Sequence, residues 1–335
     1  MSPDPDYQIV KSPVAIVGNI NLDVKTSLIP ASEGILADGE TGVAEIYESI
    51  GGGGANTAVA ATHLGACVHF AGCIGSDELG RRLEASLRGY GIVAHLSRKA
   101  SVTGRSVSLN WSNGCRHFIS SLPNNRLMTI EDIDIGGLIE AGCSMLLRSD
   151  VWFSEQMLAD GNRVLLERAR GAGMETYMDI NWDPEWSLAA NSSRVAERRA
   201  HLMKVLPLVN YAHGNERELG FFTGCNNIHD ASRYLLDRGC SEVVIHRGVK
   251  GAASFNAAEG WAEVPAREVS SIVSSTGSGD VFCAAHMLLS GLETGKRLRV
   301  ACAIAADHLS GTHVLIPSLD EPGIAFSGAK PVPAR

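Results

Sequence analysis

The chain has 335 residues, of which 45% are hydrophobic, and a formal net charge of −8. This size and apolar content allow one large core, with room for at most a small accessory unit. The acidic balance argues against a nucleic-acid or anionic-membrane surface, because such surfaces need clustered Lys and Arg. We therefore expect the ligand to be a small molecule, with no nucleic-acid or membrane partner.

The sequence carries no sign of membrane insertion or of a cysteine framework. Its apolar runs are shorter than the roughly 18 residues of a membrane span, and MSPDPDYQIVKSP lacks the regions of a signal peptide. We therefore expect a cytoplasmic location. The eight cysteines form no Cys-x-x-Cys pair, so the sequence predicts free thiols that pack as small hydrophobes.

The first half of the chain alternates predicted strands and helices. In order these are the buried strand VAIVGNINLDV, a helix that begins at Asn56 within GGGGANTAVAATHLGA, the strand CVHFAGCIG and the helix DELGRRLEASLRGYG. Two stretches interrupt this alternation: the glycine-spaced segment after Pro30, and residues 101–120, where SNG joins two β-rich runs. Together they predict a small sheet that projects from the main body.

The second half continues with strand and helix units. These are MLLRSD, a helix from Ser154, ETYMDIN, RVAERRAHLMKVLP, NYAHG, NERELGFF, SEVVIHRG, GAASF and the late helix LRVACAIAADHLSG. Such units predict a mostly parallel sheet with helices on both faces, whose ligands bind at the carboxyl ends of the strands. NINLD, GGGGAN, DINWD, GNERE, HRG and STGSGD all fall at those ends.

One further segment, SSTGSGDVFCAAHMLL, places an acid between a glycine turn and an apolar helix. Gly277 and Gly279 permit a tight turn, and Asp280 stands where the helix begins. Helix starts expose unpaired N–H groups that bind anions such as a phosphate. The alternative is that Asp280 only caps the helix.

With these motifs in this order, the sequence resembles the ribokinase-like, or PfkB, family of carbohydrate kinases over residues 13–320. The most specific segments are GGGGANTAVAATHLGACVHFAGCIGSDELG and STGSGDVFCAAHMLL, with NERE between them. The resemblance implies a ribokinase-like fold with a β-sheet lid, formed by residues 24–50 and 101–121, that closes over the sugar and serves in homodimerisation. Residues 1–12 and 321–335 would be loosely ordered termini.

The resemblance also implies roles for the second glycine motif. Asp280 would be the general base that takes the proton from the sugar hydroxyl. Gly277, Ser278 and Gly279 would form an anion hole for the γ-phosphate of ATP. This arrangement suits phosphoryl transfer, which depends on positioning and on neutralising the phosphate oxygens.

For the nucleotide, the resemblance implies that Asn215 and Glu218 hold Mg²⁺ through its water shell near the ATP phosphates. In isolation NERE would be the solvated face of a helix. The strand and turn around His246 and Gly248 resemble those that line the nucleotide in this family.

For the sugar, Asn21 and Asp23 match residues that bind hydroxyl groups, and Gly52, Gly53 and Asn56 match the turn that closes over the sugar. The alternatives are a turn residue for Asp23 and a helix cap for Asn56.

The sequence also departs from the family pattern. Ribokinases place a lysine where this chain has Gly53, which weakens a ribose assignment. Ser274 stands where the family has an acid that helps to bind a monovalent cation, so dependence on K⁺ is in doubt. We see no Lys or Arg cluster in the sugar-side motifs, which disfavours phosphorylated sugars, although Arg105 on the lid leaves them open.

We therefore predict an ATP-dependent carbohydrate kinase that requires Mg²⁺. The alternatives are a nucleoside kinase and a non-catalytic sugar or nucleotide sensor on the same fold. The intact TGSGD with Asp280 favours a kinase, because a sensor needs no base.

Overall fold

Thirteen strands form two sheets in the computed structural model, which describes residues 8–30, 38–112, 116–189, 192–273, 276–317 and 319. In chain order they are β1 (Val14–Val17), β2 (Asn21–Thr26), β3 (Ile46–Gly51), β4 (Val68–Gly75), β5 (Val93–Lys99), β6 (Arg105–Asn110), β7 (Arg116–Ser121), β8 (Met145–Arg148), β9 (Glu175–Asp179), β10 (Tyr211–Asn215), β11 (Glu242–His246), β12 (Ala252–Asn256) and β13 (Gly260–Val264).

Nine of these strands build the central sheet in the order β13-β12-β11-β10-β9-β8-β1-β4-β5. The strands from β11 to β5 pair in parallel, whereas β12 and β13 are antiparallel to their neighbours. All residues of β1 and β4 are buried, as expected for strands covered on both faces.

In the same described residues, eleven α-helices accompany the strands. They are α1 (Gly53–His63), α2 (Glu78–Gly89), α3 (Pro123–Arg126), α4 (Ile135–Glu140), α5 (Asn162–Gly171), α6 (Glu185–Ala189), α7 (Ser193–Met203), α8 (Glu216–Thr223), α9 (Ile228–Leu236), α10 (Ser278–Leu288) and α11 (Thr294–Leu309). Helices α1, α2, α10 and α11 pack into one hydrophobic core, and α4, α5 and α7–α9 pack into a second. The predicted mostly parallel sheet with helices on both faces is confirmed.

The remaining four strands form a smaller sheet, which we call the lid, in the order β3-β2-β6-β7. Only β2 and β6 pair in parallel within it. The prediction of one strand over VAIVGNINLDV is wrong, because β1 belongs to the central sheet and β2 to the lid. Gly18 lies so close to Gly54 that a Cβ there would approach Gly54 Cα to 2.7 Å, and beyond Gly18 the chain leaves the central sheet.

Helix α1 begins at Gly53, three residues before the predicted start at Asn56. Gly52 precedes it with φ 94°, a conformation that favours glycine. The N–H groups of Gly53 and Gly54 donate to the carboxylate of Asp150, which follows β8. A cap supplied by a distant strand end thus sets the start of this helix.

The seven described cysteines are free thiols, four of them buried: Cys73, Cys143, Cys240 and Cys283. Within the described ranges, no helix combines the length and the apolar character needed to cross a bilayer.

Candidate active site

The candidate site lies where the carboxyl ends of the central strands meet the start of α1, the start of α10 and the lid. Its two glycine motifs touch, because Asn56 Nδ2 donates to Asp280 Oδ2 over 3.0 Å. These residues are 224 positions apart in the chain. The fold therefore brings together the two segments that carry the strongest sequence motifs.

The start of α10 is built on Gly277, whose φ of 82° lies in the left-handed region. A Cβ at this position would lie 2.5 Å from Ile316 Cδ1, so a larger residue would also require the end of the Ile316 side chain to shift. His308 of α11 lies behind the turn, with its Nε2 3.2 Å from the carbonyl oxygen of Thr276. The turn therefore presents its backbone N–H groups in a fixed position, as an anion-binding helix start requires.

Asp280 is the acid of this turn. Burial raises the pKa of its carboxyl to about 8, and the negative charge of Asp150 adds to the rise, whereas the hydrogen bond from Asn56 and the positive charge of Arg116 oppose it. A carboxyl with a pKa near neutrality is suited to accept a proton under ordinary conditions. The hydrogen bond from Asn56 orients one of its oxygens.

Asn21 and Asp23 lie at the start of β2, joined by a hydrogen bond of 2.7 Å from Asn21 Nδ2 to Asp23 Oδ1. Both are buried, and burial raises the pKa of Asp23 to about 6. Gly51 of β3 is paired with Asn21, and a Cβ on Gly51 would overlap both side chains. The two polar groups therefore depend on the absence of a side chain at Gly51.

Asp150 is a residue of the site that sequence analysis missed. It accepts hydrogen bonds from the backbone N–H groups of Asn19 (2.9 Å), Gly53 (3.2 Å) and Gly54 (2.8 Å). Its own N–H donates to Asn181 Oδ1 over 2.6 Å. The available signal was its place at the end of MLLRSD, since acids at the carboxyl ends of parallel strands face the ligand edge.

Backbone strain marks the same edge. Asp150 and Asn181 have φ values of 57° and 50°, the two non-glycine residues with positive φ in the described chain. Each follows a neighbouring strand, β8 or β9. Strained residues of this kind cluster at functional sites, where the surrounding structure holds them in place.

A third group consists of Asp179, Glu218 and His246, from β9, α8 and β11. One ligand atom from each lies within 4.8 Å of those of the other two. Asp179 Oδ1 is buried and has no hydrogen-bond partner among the described residues. Burial and the nearby Glu218 raise the pKa of Asp179, because two carboxylates cannot easily ionise side by side. This donor set fits a divalent cation.

Asn215 acts locally as the N-cap of α8. Its side chain accepts from the N–H of Glu218 over 2.9 Å, and Glu218 Oε2 accepts from the N–H of Asn215 over 2.8 Å. This capping box leaves the second carboxylate oxygen of Glu218 for other contacts. The segment is therefore a helix cap placed at the ligand edge, rather than the face of a solvated helix.

His246 lies against the glycine turn, since a Cβ on Gly279 would approach its Cε1 to 3.2 Å. Burial lowers the pKa of His246 to about 4, so the ring is neutral at pH 7. Gly248 lies beyond it, exposed, at the start of a short 3-10 turn. Ser274 falls outside the described residues, so the prediction about the monovalent cation remains a prediction.

Comparison with known proteins decides the family. Residues 12–308 match the pfkB family of carbohydrate kinases. This chain belongs to that family. It is 27% identical over 242 residues to aminoimidazole riboside kinase of Salmonella typhimurium, covering 69% of this chain and 70% of that protein. It is 25% identical over 312 residues to ribokinase of Arabidopsis thaliana, covering 88% and 75%. The family resemblance inferred from the motifs is confirmed.

Solved structures agree on the ribokinase fold of this PfkB-family chain. Ribokinase of Thermotoga maritima superposes with a TM-score of 0.69 at 23% identity, covering 93% of this chain and 98% of that one. An E. coli protein assigned as ribokinase II, solved with ATP and Mg²⁺, gives a TM-score of 0.74 at 22% identity, covering 90% and 93%.

Proposed function

We propose that this PfkB-family protein transfers the γ-phosphate of ATP to a hydroxyl group of a sugar, with Asp280 as the general base. The observation that carries the proposal is the 3.0 Å contact between Asn56 and Asp280 at the start of α10. It joins a proton acceptor, an anion-binding helix start and the sugar-side glycine loop within one site. A binding protein has no need of the first of these.

Each of these groups has a distinct task in the proposed reaction. Asn21 and Asp23 bind sugar hydroxyls, and the Gly52–Gly53 turn lets the sugar approach the backbone closely. Asp280 takes the proton of the attacking hydroxyl, while the N–H groups of residues 277–279 stabilise the negative charge that develops on the transferred phosphate. The lid excludes water, which would otherwise compete as acceptor.

A divalent cation would be held at Glu218 and Asp179, each of which offers a carboxylate oxygen within 4.8 Å of a ring nitrogen of His246. Mg²⁺ bound with ATP would neutralise charge on the phosphate oxygens. Asp179 and Glu218 would place the cation beside the glycine turn. Because His246 is neutral, it does not offset the negative charge of the two carboxylates.

A panel of sugars and nucleosides incubated with ATP and Mg²⁺, read by ADP release, tests the proposal. Acceptor-dependent ADP release supports it, and preference for nucleosides would make the chain a nucleoside kinase, as some relatives are named. If no acceptor raises ADP release above background across a broad panel, the sensor hypothesis replaces the kinase.

Replacement of Asp23 by alanine is expected to raise the sugar KM while ATP affinity stays near wild type. The reason is that Asp23 is a buried acceptor on the sugar side, and its loss leaves sugar hydroxyls without a partner. Steady-state kinetics with each substrate varied in turn measures this, and calorimetry measures sugar affinity directly. Unchanged sugar affinity would reduce Asn21 and Asp23 to structural residues.

For Ser274, we expect weaker dependence on K⁺ than in relatives with an acid there, because a hydroxyl lacks the charge that helps to bind a cation. The measurement is activity with K⁺ replaced by a bulky organic cation at fixed ionic strength, for wild type and Ser274→Asp. An equally steep loss in both proteins would contradict the expectation.

A further inference from the structure

The part of the lid's inner face that β2 and β6 form is polar although it is buried. Strand residues alternate between faces, so Asn21, Asp23 and Lys25 of β2 lie on one face. The strand register adds Ser49 of β3 together with Ser106 and Ser108 of β6 to this face, which we call the inner lid face. All six side chains are buried, and the hydroxyl of Ser49 has no hydrogen-bond partner in the described part of the chain. A buried polar face next to the glycine loop is suited to a polar ligand.

Lys25 is the unusual member of this face. It is 3% exposed. No hydrogen bond or ion pair joins its ammonium group to the described residues, although the charges of Asp23 and Asp280 act on it from a greater distance. A buried ammonium without a close partner is costly, so such a group is retained where a ligand supplies the missing anion.

Other buried cations of the described chain are satisfied by the protein itself. Arg148 donates to Asn162 over 2.7 Å, and Arg198 donates to Asp183 over 2.9 Å. Arg297 donates to the carbonyl oxygen of His286 over 2.7 Å. Lys25 differs from all three, and it is the one that lies next to the candidate sugar site.

A second cation acts on the same space from the opposite edge of the lid. Arg116 of β7 pairs with Asn110 of β6 and therefore lies on the side of the inner lid face. Its charge acts on Lys25 and on Asp280. The charges of two cations thus act on a region that also holds the carboxylates of Asp23 and Asp280.

We propose that the acceptor of this enzyme is an anionic sugar, whose phosphate or carboxylate group binds Lys25 with support from Arg116. Asn21 and Asp23 would bind its hydroxyl groups. Side chains two residues apart on a strand are about 7 Å apart, a distance that one sugar unit can bridge. The proposal rests on the kinase function above and names its substrate class. The sugar-side motifs disfavoured phosphorylated sugars because none of them contains a cation cluster, whereas the lid brings Lys25 and Arg116 to the site.

The test compares neutral and charged acceptors of matched skeleton: fructose with fructose 6-phosphate, and glucose with gluconate. The first pair tests a phosphate group and the second tests a carboxylate group, so the two sources of negative charge are distinguished. We expect the charged member of at least one pair to have a kcat/KM about tenfold or more above its neutral partner. Lys25→Met should lower kcat/KM for that charged acceptor by about 100-fold and change the neutral one by less than about threefold.

Two further variants control the experiment. Lys25→Arg keeps the charge and should retain preference for the charged acceptor. Arg105→Met removes a lid cation from the opposite face, since Arg105 is paired with Leu22 rather than with Asp23, and should change neither acceptor. Thermal melting verifies that each variant is folded.

Calorimetry of the same acceptors without ATP separates this inference from the proposed function. Tighter binding of a charged acceptor that Lys25→Met abolishes supports the inference even if no ADP is released. Preference for neutral acceptors, or equal losses for both members of a pair in Lys25→Met, would overturn it, because Lys25 would then serve the γ-phosphate or the fold.

Discussion

Replacement of Asp280 by asparagine is expected to lower turnover by about 100-fold or more while sugar affinity changes little. Asparagine keeps the size of the side chain and an oxygen that can accept from Asn56, but it cannot take a proton. The loss should therefore appear in kcat rather than in binding. Steady-state kinetics and calorimetry measure the two quantities separately.

The pH dependence provides a second readout of the same residue. Because the pKa of Asp280 is about 8, kcat/KM of the wild type should rise as pH increases towards 8 and level off above it. The residual activity of Asp280→Asn should lack this rise. Near-normal turnover in the variant, or the same rise in both proteins, would show that another group is the base.

The substitution Asp280→Asn should not lower the stability of the protein, although it lowers activity. The native pKa of Asp280, about 8, lies above the ordinary value of 3.8, so the folded protein holds this proton more tightly than the unfolded chain does. Stability from this group is present below pH 4 and is lost progressively as pH rises from about 4 to 8. Asp280→Asn should therefore melt at a temperature equal to or above that of wild type, by a margin that widens across this interval. Asp134→Asn, which makes the same chemical change at an exposed helix cap, is the matched control.

Replacement of Asp150 by alanine is expected to lower the free energy of unfolding by about 3 kcal/mol. Three backbone N–H groups, from Asn19, Gly53 and Gly54, would lose their acceptor, and alanine would have to adopt a positive φ. The variant also removes a buried carboxylate and its desolvation cost, which offsets part of this loss. Because the released groups belong to the loop that we propose to bind the sugar, the sugar KM should rise as well.

Urea unfolding at pH 7 measures the stability change, with Asp134→Ala as the matched control. Asp134 accepts one exposed N–H from Gly137, so its loss should cost about 1 kcal/mol and leave kinetics unchanged. A stability loss no larger in Asp150→Ala than in this control would show that the loop is held by packing rather than by the carboxylate.

The central fold could be predicted because its signals are local. Apolar runs such as MLLR and VHFAGCIG are long enough to indicate buried strands, and helical spacing follows each of them. The predicted element boundaries were wrong where a residue distant in the chain sets them. Helix α1 begins at Gly53 because Asp150 caps it, and no pattern within GGGGAN encodes that partner.

The residues of the candidate site were likewise predictable only where their signal is local in the sequence. Asn56 and Asp280 were predicted from their motifs, and the structure brings them into contact. Lys25 was missed because a lysine two residues after Asp23 carries no signal in an alternating strand. It becomes notable only when the lid buries it beside the site.

The sequence by itself determined the parallel α/β architecture, the family and the two glycine motifs, because each depends on residues close together in the chain. Tertiary structure alone decided that β1 and β2 lie in different sheets, that Asp150 holds the first glycine loop, and that the charge of Asp280 acts on the buried Lys25. The physical reason is that burial, and with it the pKa of a carboxyl or the lack of a partner for an ammonium group, depends on which distant segments close around a side chain.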